Sequence, residues 1–564
     1  MKPQYDVIIM GGGLAGLTLS IQLKRSRPDL KILVLEKRAG EASTAAHKVG
    51  ESTVELGSHY LRHVIGQKDY LEAHELPKHG LRFFFKSPNK EEISSRVELG
   101  PRELLPVPSH QLDRGTLENH LAKHTQELGT VLISGGIAKE VDFGTDVHTV
   151  SYKVNEEIHT ATARWVADAT GRAGLLKRKL EFQKPMEHHV NAVWWRLKGV
   201  IDVDHWSDNK KWQSYLKPGL RYLSTVHFMD KGYWLWVIPL GSGNTSIGIV
   251  ADPAIHPLNT YNTYEKALEW LKINEPLGYK MLSKETDNLL DFIALKHYAH
   301  HTGRLYSAEE RWGVTGEAGA FLDPMYSPGT DFIAMNNSWL SDLILRDLSG
   351  EDIALRAKVY EQSHLSLVDF WIPIYQNKYL LMGNAQIMIV KIIWDWAIYW
   401  SVTCILFTNK GLLDLTVLRR LFATEGGVGS RFGKLSNIMQ VTFLKWLPHE
   451  NQIFSDRYID VFDLKFMQVF QKDIEAKYEP KELLEKIADN MIVLEQFAVA
   501  LFRLICSQVK GTDMDLKINP YKFDLDADIA TYCLPDGSDA IEPAENIVED
   551  ATILWLYQQQ GELA

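Results

Sequence analysis

The first 36 residues alternate between short apolar runs and one amphipathic stretch. Residues 7–10 are all apolar, as expected for a strand that is buried on both faces. Residues 17–25 carry apolar positions at helical spacing, and residues 31–35 form a second apolar run. A glycine-rich segment, residues 11–16, joins the first run to the helical stretch. The pattern therefore predicts a strand, a tight turn, a helix and a second strand.

The glycine-rich segment has the spacing Gly11-x-Gly13-x-x-Gly16, and an acid, Glu36, follows the second strand. Such glycines permit a tight turn, a close approach of the backbone to a pyrophosphate, and close packing of helix on strand, while the acid can bind a ribose hydroxyl. Because all these parts occur in order, we predict a Rossmann-type dinucleotide site rather than an ordinary glycine-rich turn. The residues expected to contact the dinucleotide here are Gly11, Gly13, Leu14, Ala15, Gly16, Glu36 and Lys37.

The rest of the chain divides by pattern. Short alternating runs at 193–197, 222–229, 233–238 and 245–250 are typical of antiparallel strands. Residues 311–319 return to a strand–turn–helix pattern, and helical spacing dominates from about residue 339. The predicted fold class is thus mixed α/β and α+β. It comprises a Rossmann-type domain in residues 1–189 and 301–345, an interleaved antiparallel-sheet substrate domain at 190–300, and a helical region at 346–564 that caps the active site.

A second glycine-rich segment, Gly426-Gly427-x-Gly429, is not predicted to bind a nucleotide. It follows a helical pattern at 417–422 rather than a strand, and it lacks a third glycine at the required spacing. We therefore expect one dinucleotide site in the chain.

The most apolar stretch, residues 387–407, is long enough to span a bilayer. Lys391 and Asp395 interrupt it, and each would cost roughly 2.5–3.5 kcal/mol at the bilayer centre on insertion scales. This favours a buried helix, or one that lines an apolar tunnel, over a membrane span, so membrane association is not expected.

Composition narrows the class of protein. With 564 residues, 45% hydrophobic and 24% charged, the chain has the composition of a globular protein of two or three structural units. The net charge of −11 argues against a nucleic-acid partner. Three cysteines without metal-ligand spacing fit a reducing cytosol and predict neither disulfides nor a metal. The first strand begins almost at the N-terminus, so we expect no signal peptide and a cytoplasmic location.

Four segments together resemble, in the same order, the FAD-binding domain of flavoprotein monooxygenases. They are the opening glycine turn, Arg114, Asp168-Ala-Thr-Gly171 and Gly316-Glu317-Ala-Gly319, and the resemblance covers about the first 340 residues. It implies FAD as the cofactor, with Arg114, Asp168 and Glu317 among its contacts, Glu317 standing where the family has an aspartate. For Arg114, an ordinary surface ion pair is the alternative.

The segment Lys48-Val-Gly-Glu-Ser52 resembles the flavin-side strap of that family. The resemblance implies that Lys48 and Ser52 contact the cofactor, with Lys48 near the edge of the isoalloxazine ring.

A tryptophan motif narrows the resemblance. The segment Trp234-Leu-Trp236-Val-Ile238-Pro239 is similar to the Trp-x-Trp-x-Ile-Pro motif of flavin-dependent halogenases. On a strand, Trp234, Trp236 and Ile238 share one face. The resemblance implies that the two indoles line the divide between flavin and substrate. A tryptophan-rich core strand is the alternative, because aromatic residues are common in sheets.

The segment Phe321-x-x-Pro324-x-x-Ser327-x-Gly329 fits the halogenase loop whose backbone N–H groups bind the halide. The resemblance implies a catalytic role for Ser327, and it implies that Gly329 and Thr330 contact the flavin and the halide. The sequence departs from the pattern at Pro328, which has no N–H to donate. A donor lost to a buried anion costs on the order of 1.5–3 kcal/mol. Proline here is also familiar from flavin hydroxylases.

Tyr326 stands where tryptophan halogenases have a glutamate, and this favours the phenol or pyrrole branch of the family. Lys78, just before the aromatic run at 81–85, resembles the halogenase lysine that lies between flavin and substrate. That lysine can hold hypohalous acid by a hydrogen bond or form a haloamine. A solvated loop lysine is the alternative for Lys78, and Lys48 is its competitor. His79 and His110 are the candidates for a substrate-side base.

The resemblance thus implies an FADH2-dependent halogenase that uses O2 and chloride or bromide. A flavin hydroperoxide would make hypohalous acid, which Lys78 would guide to an electron-rich, phenolic aromatic. With one dinucleotide site, a separate NAD(P)H-dependent flavin reductase is the expected partner, and a carrier-bound substrate stays open. One alternative is an aromatic hydroxylase or dehydrogenase of the same fold that uses no halide. The other is a membrane-associated redox or binding protein that docks through residues 387–407.

Overall fold

A computed structural model describes residues 4–44, 48–422, 427–450, 457–533 and 539–559. The strands among these residues are β1 Tyr5–Met10, β2 Ile32–Glu36, β3 Leu76–Lys78, β4 Leu81–Phe85, β5 Val97–Leu99, β6 Ser109–Gln111, β7 Val131–Ser134, β8 Ile137–Asp142, β9 His148–Val154, β10 Glu157–Asp168, β11 Gln183–Lys184, β12 Asn191–Lys198, β13 Thr225–Asp230, β14 Tyr233–Pro239, β15 Asn244–Ala251, β16 Leu289–Leu295, β17 His301–Thr302, β18 Tyr306–Ser307, β19 Trp312–Val314 and β20 Arg457–Ile459. The α-helices are α1 Leu14–Ser26, α2 Glu55–His59, α3 Lys68–His74, α4 Arg114–Glu127, α5 Leu175–Lys179, α6 Lys210–Ser214, α7 Tyr264–Asn274, α8 Pro276–Leu282, α9 Gly329–Leu348, α10 Ala354–Tyr375, α11 Ala385–Ile398, α12 Ile405–Thr408, α13 Leu415–Phe422, α14 Val428–Trp446, α15 Lys465–Asp473, α16 Pro480–Lys510 and α17 Glu545–Gln559.

The first sheet has the strand order β18-β19-β10-β1-β2-β7, which is parallel except for the edge strand β18, and β9 and β8 extend it from β10 as antiparallel strands. The central strand β1 pairs with both β2 and β10, so that Val7 lies opposite Ile32 on one side and Trp165 on the other. Helices α1 and α9 pack on each other, and the apolar residues of β1 and β2 are buried. This burial accounts for the unbroken apolar runs in the sequence, and the predicted Rossmann-type sheet is confirmed.

The second sheet has the order β16-β12-β15-β14-β13-β4-β5-β20. Its neighbours run antiparallel except for the pairs β13–β4 and β5–β20, which are parallel. The four strands predicted between residues 190 and 300 all lie in it. Strands β4 and β5 join from earlier in the chain and β20 from the C-terminal region, so the sheet extends beyond the predicted 190–300 segment. The division into domains stays a prediction.

Strand β14 shows why the second sheet matters for the site. Trp234, Trp236 and Ile238 lie on the face that borders a large cavity. Leu235 and Val237, which alternate with them, belong to a separate core cluster on the opposite face. The predicted common face of the two tryptophans is therefore present, and one side of this strand is free to border a ligand.

The stretch predicted to be a buried helix forms α11, a π-helical turn at Tyr399–Cys404 and α12. Two continuous helical segments of the described residues are long and apolar enough to cross a membrane, Ala385–Thr408 and Pro480–Lys510. The apolar window of Ala385–Thr408 is 100% buried inside the protein. The prediction of a buried helix is confirmed. Gly426, the first glycine of the second glycine-rich segment, lies outside the described residues. Gly427 is the N-cap of α14, and Gly429 lies in the first turn of that helix.

Candidate active site

The glycine turn after β1 is packed against the end of β10. Gly11 has a φ of +116°, and a Cβ added there would lie 2.2 Å from the carbonyl oxygen of Ala169. A Cβ at Gly16 would lie 1.9 Å from the carbonyl oxygen of Gly11. The Gly12 N–H donates to Glu36 Oε2 at 2.8 Å. No larger residue fits at Gly11 or Gly16, and Glu36 closes the turn as a hydrogen-bond acceptor.

A large cavity of about 1600 Å³, including the part open to solvent, lies between the glycine turn and the second sheet. Most of the residues predicted to bind a cofactor border it. These are Gly13, Leu14, Ala15, Lys48, Ser52, Arg114, Glu317, Gly329 and Thr330, and Trp234, Trp236 and Ser327, which were predicted for catalysis, border it as well. The predicted contacts Gly11, Gly16, Glu36, Lys37 and Asp168 are not part of its wall. The cavity is thus shaped by several segments that are far apart in the chain.

Asp168 supports the wall instead of forming it. Its Oδ1 accepts hydrogen bonds from the Thr170 N–H at 2.9 Å and the Thr170 hydroxyl at 2.6 Å, and its Oδ2 accepts one from the Leu176 N–H at 2.6 Å. Burial raises the pKa of this carboxyl. These bonds hold the turn that places Gly171 and Arg172 in the cavity wall.

Arg114 and Lys48 share one buried acid, Glu118. Arg114 donates to Glu118 Oε1 at 2.7 Å and to the carbonyl of Val49 at 2.8 Å, and Lys48 forms an ion pair with the same carboxylate. A Cβ added at Gly13 would lie 3.7 Å from Lys48 Nζ. The ammonium therefore stands beside the glycine turn, and its expected place near the edge of the flavin ring stays a prediction. Arg114 does form an ion pair, but the pair lies in the cavity wall.

A second cavity of about 580 Å³, including the part open to solvent, lies on the other side of the loop that precedes α9. We call it the aromatic cavity, because its walls include Tyr326, Trp371, Trp396, Tyr399 and Trp400. It also contains four ionisable side chains, those of Glu55, Lys78, Asp331 and Asp395. It is a mainly apolar space with a few charged groups, which is typical of small-molecule sites.

Lys78 is buried in the aromatic cavity, so the solvated-loop alternative is wrong. Strand β3 holds it by pairing with β6, and its Nζ donates to the carbonyl of Thr53 at 2.7 Å. Burial lowers the pKa of Lys78 to about 7, against the opposing effect of Glu55 and Asp331. Burial likewise raises the pKa of Asp331 to about 7. The lysine is thus poised between its ammonium and amine forms.

The loop before α9 forms a wall of both cavities. Ser327, Gly329 and Thr330 border the large cavity, whereas Tyr326 and Pro328 border the aromatic cavity. The two-sided position explains how one short loop can face both a cofactor and a substrate.

Pro328 occupies the N-cap position of α9, so the N-cap residue of this helix has no backbone N–H to donate. The Phe332 N–H makes the first helical bond, to the Pro328 carbonyl at 3.0 Å. The N–H groups of Gly329 and Thr330 come before that bond and belong to the free donors of the helix start. The proline removes one donor and leaves these two in place.

The two histidines proposed as bases border neither cavity. His79 faces Arg82, and the Nδ1 of His110 lies 3.0 Å from the Ser58 hydroxyl. Burial lowers the pKa of both to about 4. The ionisable groups that do share the cavity with Lys78 are carboxylates that sequence reasoning missed. Asp395 does carry a signal in the sequence, since an acid in the most apolar stretch of the chain is anomalous.

Comparison with known proteins agrees with this geometry. Residues 4–242 match the family described as FAD binding domain. The chain is 26% identical over 448 residues to a flavin-dependent halogenase of Dictyostelium discoideum, covering 72% of this chain and 71% of that protein. It is 26% identical over 358 residues to a 1H-pyrrole-2-carbonyl-[peptidyl-carrier protein] chlorinase of Pseudomonas fluorescens, covering 59% and 74%. The crystal structure of halogenase PltM with phloroglucinol and FAD shares the fold, with a TM-score of 0.59 at 17% identity over 87% of this chain and 96% of that one.

Fold and site together define a flavin-dependent oxidoreductase. The glycine turn is a cradle that a Cβ would fill, and the charged wall of Lys48, Arg114 and Arg172 beside it suits a pyrophosphate, so the residues present fit FAD. Residues 4–242 match an FAD-binding domain, so FAD is the cofactor, and the chain is similar to flavin-dependent halogenases.

Proposed function

We propose that this protein is an FADH2-dependent halogenase that chlorinates or brominates an electron-rich, phenolic aromatic. The observation that carries the proposal is the loop shared by the two cavities. Gly329 and Thr330 border the cofactor side, Pro328 borders the other side, and Lys78 lies in the cavity that Pro328 faces. Oxidant can therefore form on one side of the loop and be used on the other.

The halide is bound by backbone donors at the start of α9. The N–H groups of Gly329 and Thr330 lie ahead of the first helical hydrogen bond, and the positive end of a helix of 20 residues favours an anion there. Ser327, whose hydroxyl donates to Ser52 at 3.0 Å, holds the loop against the strap.

Reduced FAD with O2 supplies the oxidising equivalents that turn halide into hypohalous acid. Trp234 and Trp236, with ring centroids 5.5 Å apart, wall off the cofactor cavity, so the hypohalous acid leaves past the loop. Lys78 then receives it. Burial lowers the pKa of Lys78 to about 7 against the opposing effect of Glu55 and Asp331, so below about pH 7 its ammonium form can deliver the hypohalous acid by a hydrogen bond.

The aromatic cavity suits a single small ring with little room for a long chain. Its indole and phenol walls favour stacked or edge-on contact with an aromatic substrate. The related halogenase PltM is found with phloroglucinol, which supports a phenolic substrate. Other relatives are pyrrole halogenases named for a carrier-bound substrate, so a carrier-tethered pyrrole belongs in the substrate panel. A separate NAD(P)H-dependent flavin reductase would supply FADH2.

One observation favours a second function. Pro328 removes a donor from the halide loop, so an aromatic hydroxylase that ignores halide is the competing candidate.

The test supplies FADH2 from a flavin reductase to the enzyme, with O2 and a panel of phenols and a carrier-tethered pyrrole, with and without bromide. Brominated product that depends on bromide supports the halogenase. Hydroxylated product that forms equally without bromide, and no brominated product, would establish the hydroxylase instead.

The lysine role is tested in the same assay with Lys78→Met. The matched control is Lys378→Met, because Lys378 is also buried, has its pKa lowered to about 7 by burial, and borders neither cavity. We expect at least a hundredfold loss of bromination for Lys78→Met and little change for the control. Wild-type bromination by Lys78→Met would remove the lysine from the mechanism.

A further inference from the structure

The feature that the proposed function leaves unused is Asp395. It lies in the middle of α11, in a stretch where all neighbouring side chains are buried, and it borders the aromatic cavity. Its side chain is 1% exposed. An acid buried there needs an explanation, because an isolated carboxylate is costly in an apolar interior.

Three groups surround this carboxylate. Lys391, one turn earlier on the same helix, forms an ion pair with Oδ2 at 2.5 Å. The Tyr326 hydroxyl, from the loop shared by the two cavities, donates to the same oxygen at 2.8 Å, and Gln440 Nε2 donates to Oδ1 at 2.8 Å. Elements from three parts of the chain therefore hold one carboxylate in place.

A buried ion pair is weak evidence of a stabilising role. Replacing a buried ion pair with well-packed apolar residues is often neutral or stabilising, and α11 is otherwise apolar apart from Gln386. The pair is therefore better explained by what it presents to the cavity.

The count of acceptor positions shows what Asp395 can still do. Each carboxylate oxygen can accept about two hydrogen bonds. Oδ2 accepts from both Lys391 and Tyr326, whereas Oδ1 accepts from Gln440 alone among the described residues. One acceptor position on Oδ1 is left in a residue that borders the aromatic cavity.

Asp395 differs from the other two carboxylates of the cavity. Asp331 accepts from the Gly57 N–H and the Tyr399 hydroxyl, both at 2.7 Å, and within the described ranges no cation lies at ion-pair distance from it or from Glu55. Glu55 and Asp331 both act on Lys78. Burial raises the pKa of Asp395, and Asp395 has its own cation, Lys391, whose opposing effect favours the charged form that makes the stronger acceptor.

We propose that Asp395 determines the substrate specificity of the aromatic cavity, because its carboxylate accepts a hydrogen bond from the hydroxyl of a phenolic substrate. Tyr326 and Lys391 position the carboxylate, and the surrounding indoles contact the ring. The hydroxyl keeps its proton, so the step is one of binding and orientation. This inference rests on the proposed function for its substrate class.

The test measures binding of two probes to the FAD-loaded protein by calorimetry, resorcinol and its dimethyl ether. The ether keeps the ring but has no hydroxyl to donate. We expect the wild type to bind resorcinol at least tenfold more tightly than the ether. Asp395→Asn should reduce this preference to threefold or less. Its matched control is Asp550→Asn, since Asp550 is also fully buried but borders neither cavity, and we expect it to keep the preference.

Asp395→Asn leaves Lys391 buried without its acid and can disturb folding. The double variant Lys391→Met/Asp395→Leu removes both charges, and retained FAD binding would show that it folds. It should also lose the preference for resorcinol. A wild type that binds both probes equally or not at all, or variants that keep the full preference, would overturn the proposal.

Bromination of resorcinol is measured in parallel, so the two proposals fail separately. If bromide is incorporated but the Asp395 variants keep the preference for resorcinol, the role of Asp395 is wrong and the halogenase function is supported. If the preference for resorcinol depends on Asp395 but no bromide is incorporated, hydroxyl recognition by Asp395 is supported and the halogenase function is wrong.

Discussion

At the scale of single residues, the site depends on ionisable groups taken out of water. Lys78 could be singled out from its position before an aromatic strand. Its partners Glu55 and Asp331 could not, since they are separated from it by 23 and 253 positions along the chain and only the fold brings them to the same cavity. The properties of the lysine, unlike its identity, were therefore set by tertiary contacts.

The protonation state of Lys78 predicts a pH dependence. Burial lowers its pKa from 10.5 to about 7, so the ammonium that donates a hydrogen bond to hypohalous acid is present below about 7 and is lost as the pH rises. We expect kcat/KM for halogenation of a phenol to fall as the pH is raised through about 7. The rate at which hypohalous acid is released and captured by a small scavenger in solution should not fall over the same pH range. A rate that rises through the same range would indicate a haloamine, which needs the neutral amine.

Pro328 allows a second prediction at this scale. Its φ of −78° and ψ of −4° suit alanine, and Pro328→Ala would restore a backbone N–H at the start of α9. One added donor to an anion should lower the KM for bromide about tenfold, which corresponds to about 1.4 kcal/mol. The control is Pro218→Ala, at an exposed turn outside both cavities. An unchanged KM would mean that Gly329 and Thr330 bind the halide without help from the cap.

At the scale of elements, the spacing of apolar residues predicted whether a segment is a helix or a strand, but it did not predict irregularities within a helix. The apolar stretch at 387–407 is a buried helix as predicted, but a π-helical turn at Tyr399–Cys404 interrupts it. Such turns are frequent at functional sites. In this turn Tyr399 donates to Asp331 and Trp400 borders the aromatic cavity. Side-chain spacing in the sequence carries no signal for one inserted residue in a helix.

The strand–turn–helix that opens the chain leads to a prediction of its own. In Gly16→Ala the new Cβ would lie 1.9 Å from the carbonyl oxygen of Gly11, so α1 must move away from β1. We expect loss of FAD binding, measured by flavin absorbance of the purified protein. Gly433→Ala, in helix α14 with nothing within 4 Å of the added Cβ, should bind FAD normally. Full flavin occupancy in Gly16→Ala would contradict the close packing described for this turn.

At the scale of the whole molecule, the two sheets and the C-terminal helices meet around the two cavities. The second sheet supplies Trp234 and Trp236, and the first supplies the glycine turn. The loop before α9, the helices α10 and α11 and the π-helical turn at Tyr399–Cys404 supply the aromatic walls. Strand β20, late in the chain, pairs with β5, which lies early in it. The helical region is thus joined to the second sheet and also closes the site.

The burial of the apolar helix predicts how the protein behaves with lipid. Because the apolar window of Ala385–Thr408 is 100% buried, it has no free face to insert. We expect the protein to stay in the supernatant when it is centrifuged with liposomes at low salt. Co-sedimentation that persists at high salt would mean that this helix leaves the core, and it would revive the membrane-associated alternative.

The sequence by itself determined the dinucleotide turn, the face shared by Trp234 and Trp236, the loop at Ser327 and the candidate Lys78. Each is a local pattern, in which a few neighbouring residues suffice to dictate a turn, a strand face or a helix start. Only the tertiary structure decided the rest. It placed Lys48 beside the glycine turn, turned His79 and His110 away from both cavities, and joined Asp395 to Tyr326 across 69 positions. Those contacts follow from how distant elements pack, and packing depends on the whole chain, so no short stretch of sequence encodes them.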